Sequence, residues 1–210
     1  LAQKMPPQVT ADTGLDALAH AVEAYVATWK NDFSDGLAVW ATKLIFKFLP
    51  RAYANPNDTE AREKMHNAAT ISGLAFGNSQ AGIAHSLGHS LGAMFKIPHG
   101  RCVGLFLPYV IEYNSRVEKT AALYGEMAKN VGVGEETKDL VMAVRNLAGE
   151  IKAPLAIKDI LGEKAFLENL DALVDRARGD PCTATNPISP SNEDLRNLFR
   201  CAYKGESLLQ

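Results

Sequence analysis

Three of the chain's five histidines, His85, His89 and His99, fall within a fifteen-residue window, and a fourth, His20, follows Asp16 by four positions. On a helix, residues four apart share one face, with Cβ atoms about 5–6 Å apart. Asp16 and His20 can therefore grip one ion from a single helix. His85 and His89 share a face in the same way, and His99 follows Pro98 in a turn. Imidazole and carboxylate together suit first-row divalent ions such as Fe(II) or Zn(II). Three histidines and one aspartate around such an ion leave a net charge of about +1 and an open position for a water or a substrate oxygen, as a Lewis acid requires. Structural zinc sites are closed and rich in cysteine, so this set reads as catalytic. Each residue alone has a plainer role: a hydrogen-bonded core histidine, or a helix first-turn charge for Asp16. Two polar pairs inside apolar helices are harder to explain that way, because unpaired polar groups are costly there. Spacing leaves five candidates, Asp16, His20, His85, His89 and His99, and does not say which are ligands.

The elements that must position them are helices. Thr13 to Trp29 is rich in alanine and leucine at spacings of three and four. Ser34 or Asp35 is a candidate cap for a second helix running to Pro50. Asn57 with Glu60 forms a capping-box pattern opening a third helix toward Gly77. Ala81 to Phe95 is apolar and dotted with glycine, and Pro98 breaks it. Gly100 to Asn114 reads as a buried helix kinked at Pro108. Further helices are expected over Val117 to Val131, Glu136 to Lys152, Glu163 to Arg178 and Asn192 to Lys204, the last capped by Ser191. β-branched residues do not cluster in alternating runs. The expectation is one all-α domain, residues 1–210, of eight or nine helices.

At 210 residues the chain can bury one good-sized core and does not need two domains. A net charge of -2 offers no electrostatic case for nucleic acid or an anionic membrane as partner. No apolar run approaches the roughly 20 residues needed to span a bilayer. Cys102, Cys182 and Cys201 are scattered and odd in number, which suits a reducing cytoplasmic setting and argues against a disulfide framework. The opening LAQKMPPQVTADTG reads as mid-protein text, so a fragment of something longer is expected.

Three segments carry a family resemblance. TGLDALAHAVEAYV (Thr13 to Val26) and GIAHSLGHSLGAMFKIPHGRCVGLFLPYVIEYN (Gly82 to Asn114) resemble the two signatures of the iron-containing, or group III, alcohol dehydrogenases. DPCTATNP (Asp180 to Pro187) resembles that family's C-terminal loop. The resemblance implies the helical C-terminal domain of a two-domain fold of the dehydroquinate-synthase-like type, with the N-terminal NAD(P)-binding domain absent from this chain. No Gly-rich phosphate-binding turn after a strand occurs here. The resemblance also implies Asp16, His20, His85 and His99 as ligands to Fe(II), with Zn(II) as the alternative. It moves His89 out of the ligand set to a place beside the nicotinamide and substrate. There His89 packs on the cofactor or relays the hydroxyl proton outward, its ordinary pKa being near 6.5. The implied reaction is reversible hydride transfer between a small alcohol or aldehyde and NAD or NADP, and the implied assembly is a homo-oligomer. Ile188 stands where many relatives carry Arg, which puts any substrate contact there in doubt.

Glu23, three residues after His20, is either a carboxylate that orients a ligand or, the plainer reading, a solvated or interhelical charge. His66 is expected at the surface, and Cys182 at the mouth of the site by resemblance only. Gly88-His89-Ser90-Leu91-Gly92 matches the serine-hydrolase elbow, but that motif needs a preceding strand and a later acid and histidine. The only histidine after Ser90 is His99, with no acid between them. The same residues are compatible with a non-catalytic metal-binding helical fragment and with a glycerol-dehydrogenase-like zinc enzyme.

Overall fold

The N-terminal alanine–leucine segment becomes α1 (Pro7–Val26), the axis of the domain. Ala11, Leu15, Leu18, Ala19 and Val22 are buried on more than one side, because α1 packs against α2, α3 and α5. In this computed structural model, which describes residues 4–208, every regular element is helical, as the patterning predicts. Helix α1 starts six residues before Thr13, with Pro7 at its first position, where a missing N–H costs no hydrogen bond. It ends at Val26, short of the exposed Trp29.

Helix α2 (Asp32–Ala54) is capped by Asn31 rather than by Ser34 or Asp35. Asn31 Oδ1 accepts from Ser34 N at 3.1 Å, and Ser34 Oγ accepts from Asn31 N at 2.9 Å, so Ser34 serves as the reciprocal half of the box. The helix also continues through Pro50 to Ala54, with Leu49 and Ala52 fully buried across the interruption. Core burial there outweighs the lost hydrogen bond. Helix α3 (Thr59–Ser79) is capped by Asp58, whose Oδ1 accepts from Ala61 N, and not by Asn57.

Helices α4 (Ile83–Phe95) and α5 (His99–Asn114) form the other half of the frame. Lys96 ends α4 in the left-handed conformation (φ 54°), the chain reverses through Ile97 and Pro98, and His99 is the first residue of α5. The remaining helices, α6 (Glu118–Val131), α7 (Thr137–Glu150), α8 (Glu163–Gly179) and α9 (Asn192–Lys204), pack around α4 and α5. Ser191 caps α9, as the sequence predicts. A 3-10 turn, Pro181–Thr185, follows α8 and leans on α4. No helix of the described residues is long and apolar enough to cross a membrane.

Candidate metal centre

Helices α1, α4 and α5 converge at one point. Two close approaches make this possible. A Cβ on Gly100 would sit 2.1 Å from the carbonyl oxygen of Asp12, and one on Gly88 would sit 2.9 Å from Val103 N. The first turn of α5 is pinned further by Arg101, whose Nε and Nη2 donate to the two Asp12 carboxylate oxygens at 3.1 and 2.9 Å.

At the convergence, ligand atoms of Asp16, His20 and His85 all lie within 4.8 Å of one another. Asp16 Oδ2 is 3.9 Å from His20 Nδ1, and Asp16 Oδ1 is 3.8 Å from His85 Nε2. His99 reaches the group through Asp16, its Nε2 lying 3.0 Å from Oδ1. The His20 ring is tilted against His85 (centroids 4.4 Å) and stacked on Phe76 of α3 (4.3 Å). Two atoms at the centre, Asp16 Oδ1 and His85 Nε2, are buried, and among the described residues His85 Nε2 has no hydrogen-bond partner. An unpartnered imidazole nitrogen facing a buried carboxylate oxygen across 3.8 Å, with the His99 nitrogen 3.0 Å from that same oxygen, is an arrangement a cation resolves. The residues fit a divalent ion on this ground.

The electrostatics agree. Burial, reinforced by the neighbouring His85, pushes the His20 imidazole down to about 4, so it stands neutral with a lone pair to donate. Burial works against the Asp16 carboxylate, but His99, His20 and His85 around it overcome that and hold its pKa below the usual value. Asp16 in turn raises the pKa of His99.

Glu23 is an interhelical charge, and only the solvated half of the plainer sequence reading fails. It is 2% exposed, not solvated. Its Oε2 contacts His85 Nδ1, and its Oε1 accepts from Ala84 N at 2.6 Å, at the N-terminus of α4 where the helix dipole favours an anion. Gly82 leaves the room, since a Cβ there would lie 2.8 Å from Oε1. Glu23 thus fixes the rotation of His85 and directs Nε2 at Asp16.

His89 stands apart from that triad of ligand atoms. Its Nδ1 lies 2.8 Å from Asp180 Oδ2, and its ring stacks on His99 (5.0 Å). Asp180 is itself held by Cys182 N at 2.9 Å. Burial opposes its charge, but the Cys182 amide and His89 hold its pKa below the usual value. Cys182 is half-buried beside them, with burial and then Asp180 pushing its thiol up to about 12. No spacing in the sequence singles out Asp180; only the fold puts it against a histidine 91 positions away. Asn186 of the same loop is buried and exchanges hydrogen bonds with Asn114 (3.0 and 2.7 Å). It also donates to the Ile188 carbonyl, and Ile188 packs against the core. Ser90 sits inside α4, with Oγ donating to Leu173 O at 2.7 Å, so no strand-to-helix elbow presents it. His66 is exposed on α3, as expected.

Residues 10–203 match the family model described as "Fe-containing alcohol dehydrogenase family, C-terminal". The NADPH-dependent butanol dehydrogenase of Clostridium saccharobutylicum is 39% identical over 211 residues, covering 98% of this chain and 53% of that protein. An alcohol dehydrogenase of Thermococcus barophilus is 37% identical over 203 residues, covering 97% and 52%. Among solved structures, the iron-containing alcohol dehydrogenase of Thermococcus thioreducens superposes with a TM-score of 0.92 at 34% identity, covering 97% of this chain and 53% of that one. The sulfoacetaldehyde reductase of Bifidobacterium kashiwanohense, solved in complex with NAD+, superposes at 0.86 with 31% identity, covering 95% and 51%. The chain spans about half the length of the curated relatives it matches.

Proposed function

Because the chain belongs to the Fe-containing alcohol dehydrogenase family, we propose that it is the metal-holding part of an oxidoreductase that exchanges a hydride between a small alcohol and NAD(P)+. In this reading Asp16, His20, His85 and His99 hold one Fe(II), with Zn(II) as the alternative. The observation that carries it is the unpartnered His85 Nε2 facing the buried Asp16 Oδ1 at the meeting of α1 and α4. When bound, the ion supplies Lewis-acid polarisation of the alcohol oxygen, and the nicotinamide supplies the hydride acceptor.

The chain's own residues do the rest. Glu23 sets the orientation of His85 through Nδ1. Asp180 holds Nδ1 of His89, which favours the tautomer protonated there and leaves Nε2 able to take a proton from the substrate hydroxyl. Phe76, stacked on His20, gives that side of the site an apolar wall that keeps water from the neutral imidazole. The cofactor's remaining contacts belong to polypeptide beyond this half, since the relatives are about twice as long. One relative is named for NADPH and one neighbour was solved with NAD+, so both cofactors stay within the proposal.

Metal analysis of anaerobically purified protein tests the ligand set. His85→Ala should lose the metal and His89→Ala should keep it. Loss in both, or in neither, sinks the division between ligand and relay. Following absorbance of the reduced cofactor with primary alcohols and diols tests the reaction, with turnover expected of the longer polypeptide and not of this chain alone.

A further inference from the structure

Arginine is rarely buried without a carboxylate, because a guanidinium stripped of water needs a compensating charge. Arg62 on α3 is only 6% exposed. Its Nη1 donates to Thr10 Oγ1 at 2.6 Å and its Nη2 to the Met5 carbonyl at 3.3 Å. Among the described residues its Nε is buried without a hydrogen-bond partner. Among the described residues no ion pair is formed by Arg62, and Asp12, two positions after its partner Thr10 on α1, is engaged by Arg101. Beside it, between α1 and α3, lies a cavity of about 220 Å³. Arg62 and both of its partners, Met5 and Thr10, border this cavity, and Met65, Ala69 and Gly14 give it mostly apolar walls.

We propose that this cavity is a carboxylate site, in which Arg62 pairs with the anion and the methionine-lined wall takes a short alkyl chain. Three features select that chemistry. Arg62 lines the cavity with no carboxylate partner among the described residues, and its Nη2, held only by the Met5 carbonyl at 3.3 Å, has donor capacity left for a charge-assisted hydrogen bond to an anion. The apolar walls favour an acid with a hydrocarbon tail over inorganic phosphate or sulfate. The volume falls below the roughly 300 Å³ at which pockets for drug-sized ligands begin, so the occupant is a small acid or a single acidic side chain. The site is separate from the candidate metal centre. Arg62 makes no hydrogen bond or ion pair with Asp16, His20, His85 or His99 among the described residues, and the proposal does not depend on their holding a metal.

Thermal denaturation with butyrate, and with the neutral isostere butyramide, tests it. Butyrate is expected to raise the Tm saturably and butyramide to leave it unchanged. Arg62→Met should abolish the butyrate response and, by removing an unpaired buried charge, melt no lower than the parent without ligand. Ala69→Leu, at the exposed rim, should narrow the cavity and weaken the response at least tenfold while leaving Arg62 in place, which keeps the test open if Arg62→Met fails to fold. Equal shifts with butyrate and butyramide, no shift with either, or a butyrate response that survives both substitutions would each overturn the proposal. The same titration on a form extended by upstream sequence separates the two sources of the carboxylate. A response in both forms assigns a free acid, and a response in this chain only assigns an acidic side chain of the added polypeptide.

Discussion

Glu23 and His85 meet in the interior, 62 residues apart in sequence, with Oε2 against Nδ1 and both side chains almost wholly buried. A carboxylate behind a histidine fixes its tautomer and rotation and raises the basicity of the far nitrogen. Glu23→Gln keeps the shape and removes the charge. We expect its affinity for Fe(II) or Zn(II) to fall by about 10- to 100-fold, read by competition with a chelator of known strength. Unchanged affinity would reduce Glu23 to a structural role.

Gly100 lets the start of α5 lie against α1. Gly100→Ala puts a methyl group 2.1 Å from the Asp12 carbonyl oxygen, so the helix start must shift and take the neighbouring His99 with it. The chain should still fold, because the core around Val103, Phe106 and Leu107 is untouched. Metal affinity should drop about tenfold or more, with a lower melting temperature. A variant that melts normally and binds metal normally would show that the close approach is not needed.

His20 predicts a pH dependence of folding in the presence of a chelator. Its imidazole titrates at about 4 when folded, against 6.5 when exposed, because it is buried and then because His85 lies beside it. Between those values the unfolded chain binds a proton that the folded chain does not. Stability is therefore at its full value above pH 6.5 and falls with acidification, by at most about 1.4 kcal/mol per pH unit from this group, levelling off near 4. Urea denaturation across that window measures the slope, and His20→Gln should flatten it. An identical slope in the variant would assign the effect elsewhere.

Asp180 predicts a separation of binding from turnover. Asp180→Asn leaves the four candidate metal ligands intact but weakens the hold on His89 Nδ1. In the longer polypeptide, kcat should fall by about 100-fold, the lower end of what a positioned proton-transfer group contributes, while metal content stays at the parent level. Loss of metal together with activity would mean that Asp180 supports the first set of ligands and not His89.

Much of this molecule is legible from the residues alone. The 3.6-residue apolar rhythm specifies helices, and serine or glycine at their ends marks some of the boundaries, as at Ser191. Local rules failed where two signals competed. Asn31 won the cap of α2 over Ser34 because Ser34 could serve at the third position of the same box. Helix α2 ran through Pro50 because buried neighbours on both sides outweighed one missing hydrogen bond.

The four-residue spacings by themselves place Asp16 with His20, and His85 with His89. They are silent on which histidine of the second pair turns toward Asp16. That choice belongs to Glu23 and Asp180, which reach His85 and His89 from 62 and 91 residues away. Sequence periodicity records which residues share a face of one helix. Only packing decides what each face meets, so a carboxylate that in the sequence could be solvated, interhelical or ligand-orienting becomes, once α4 starts against it, the anchor of a buried histidine.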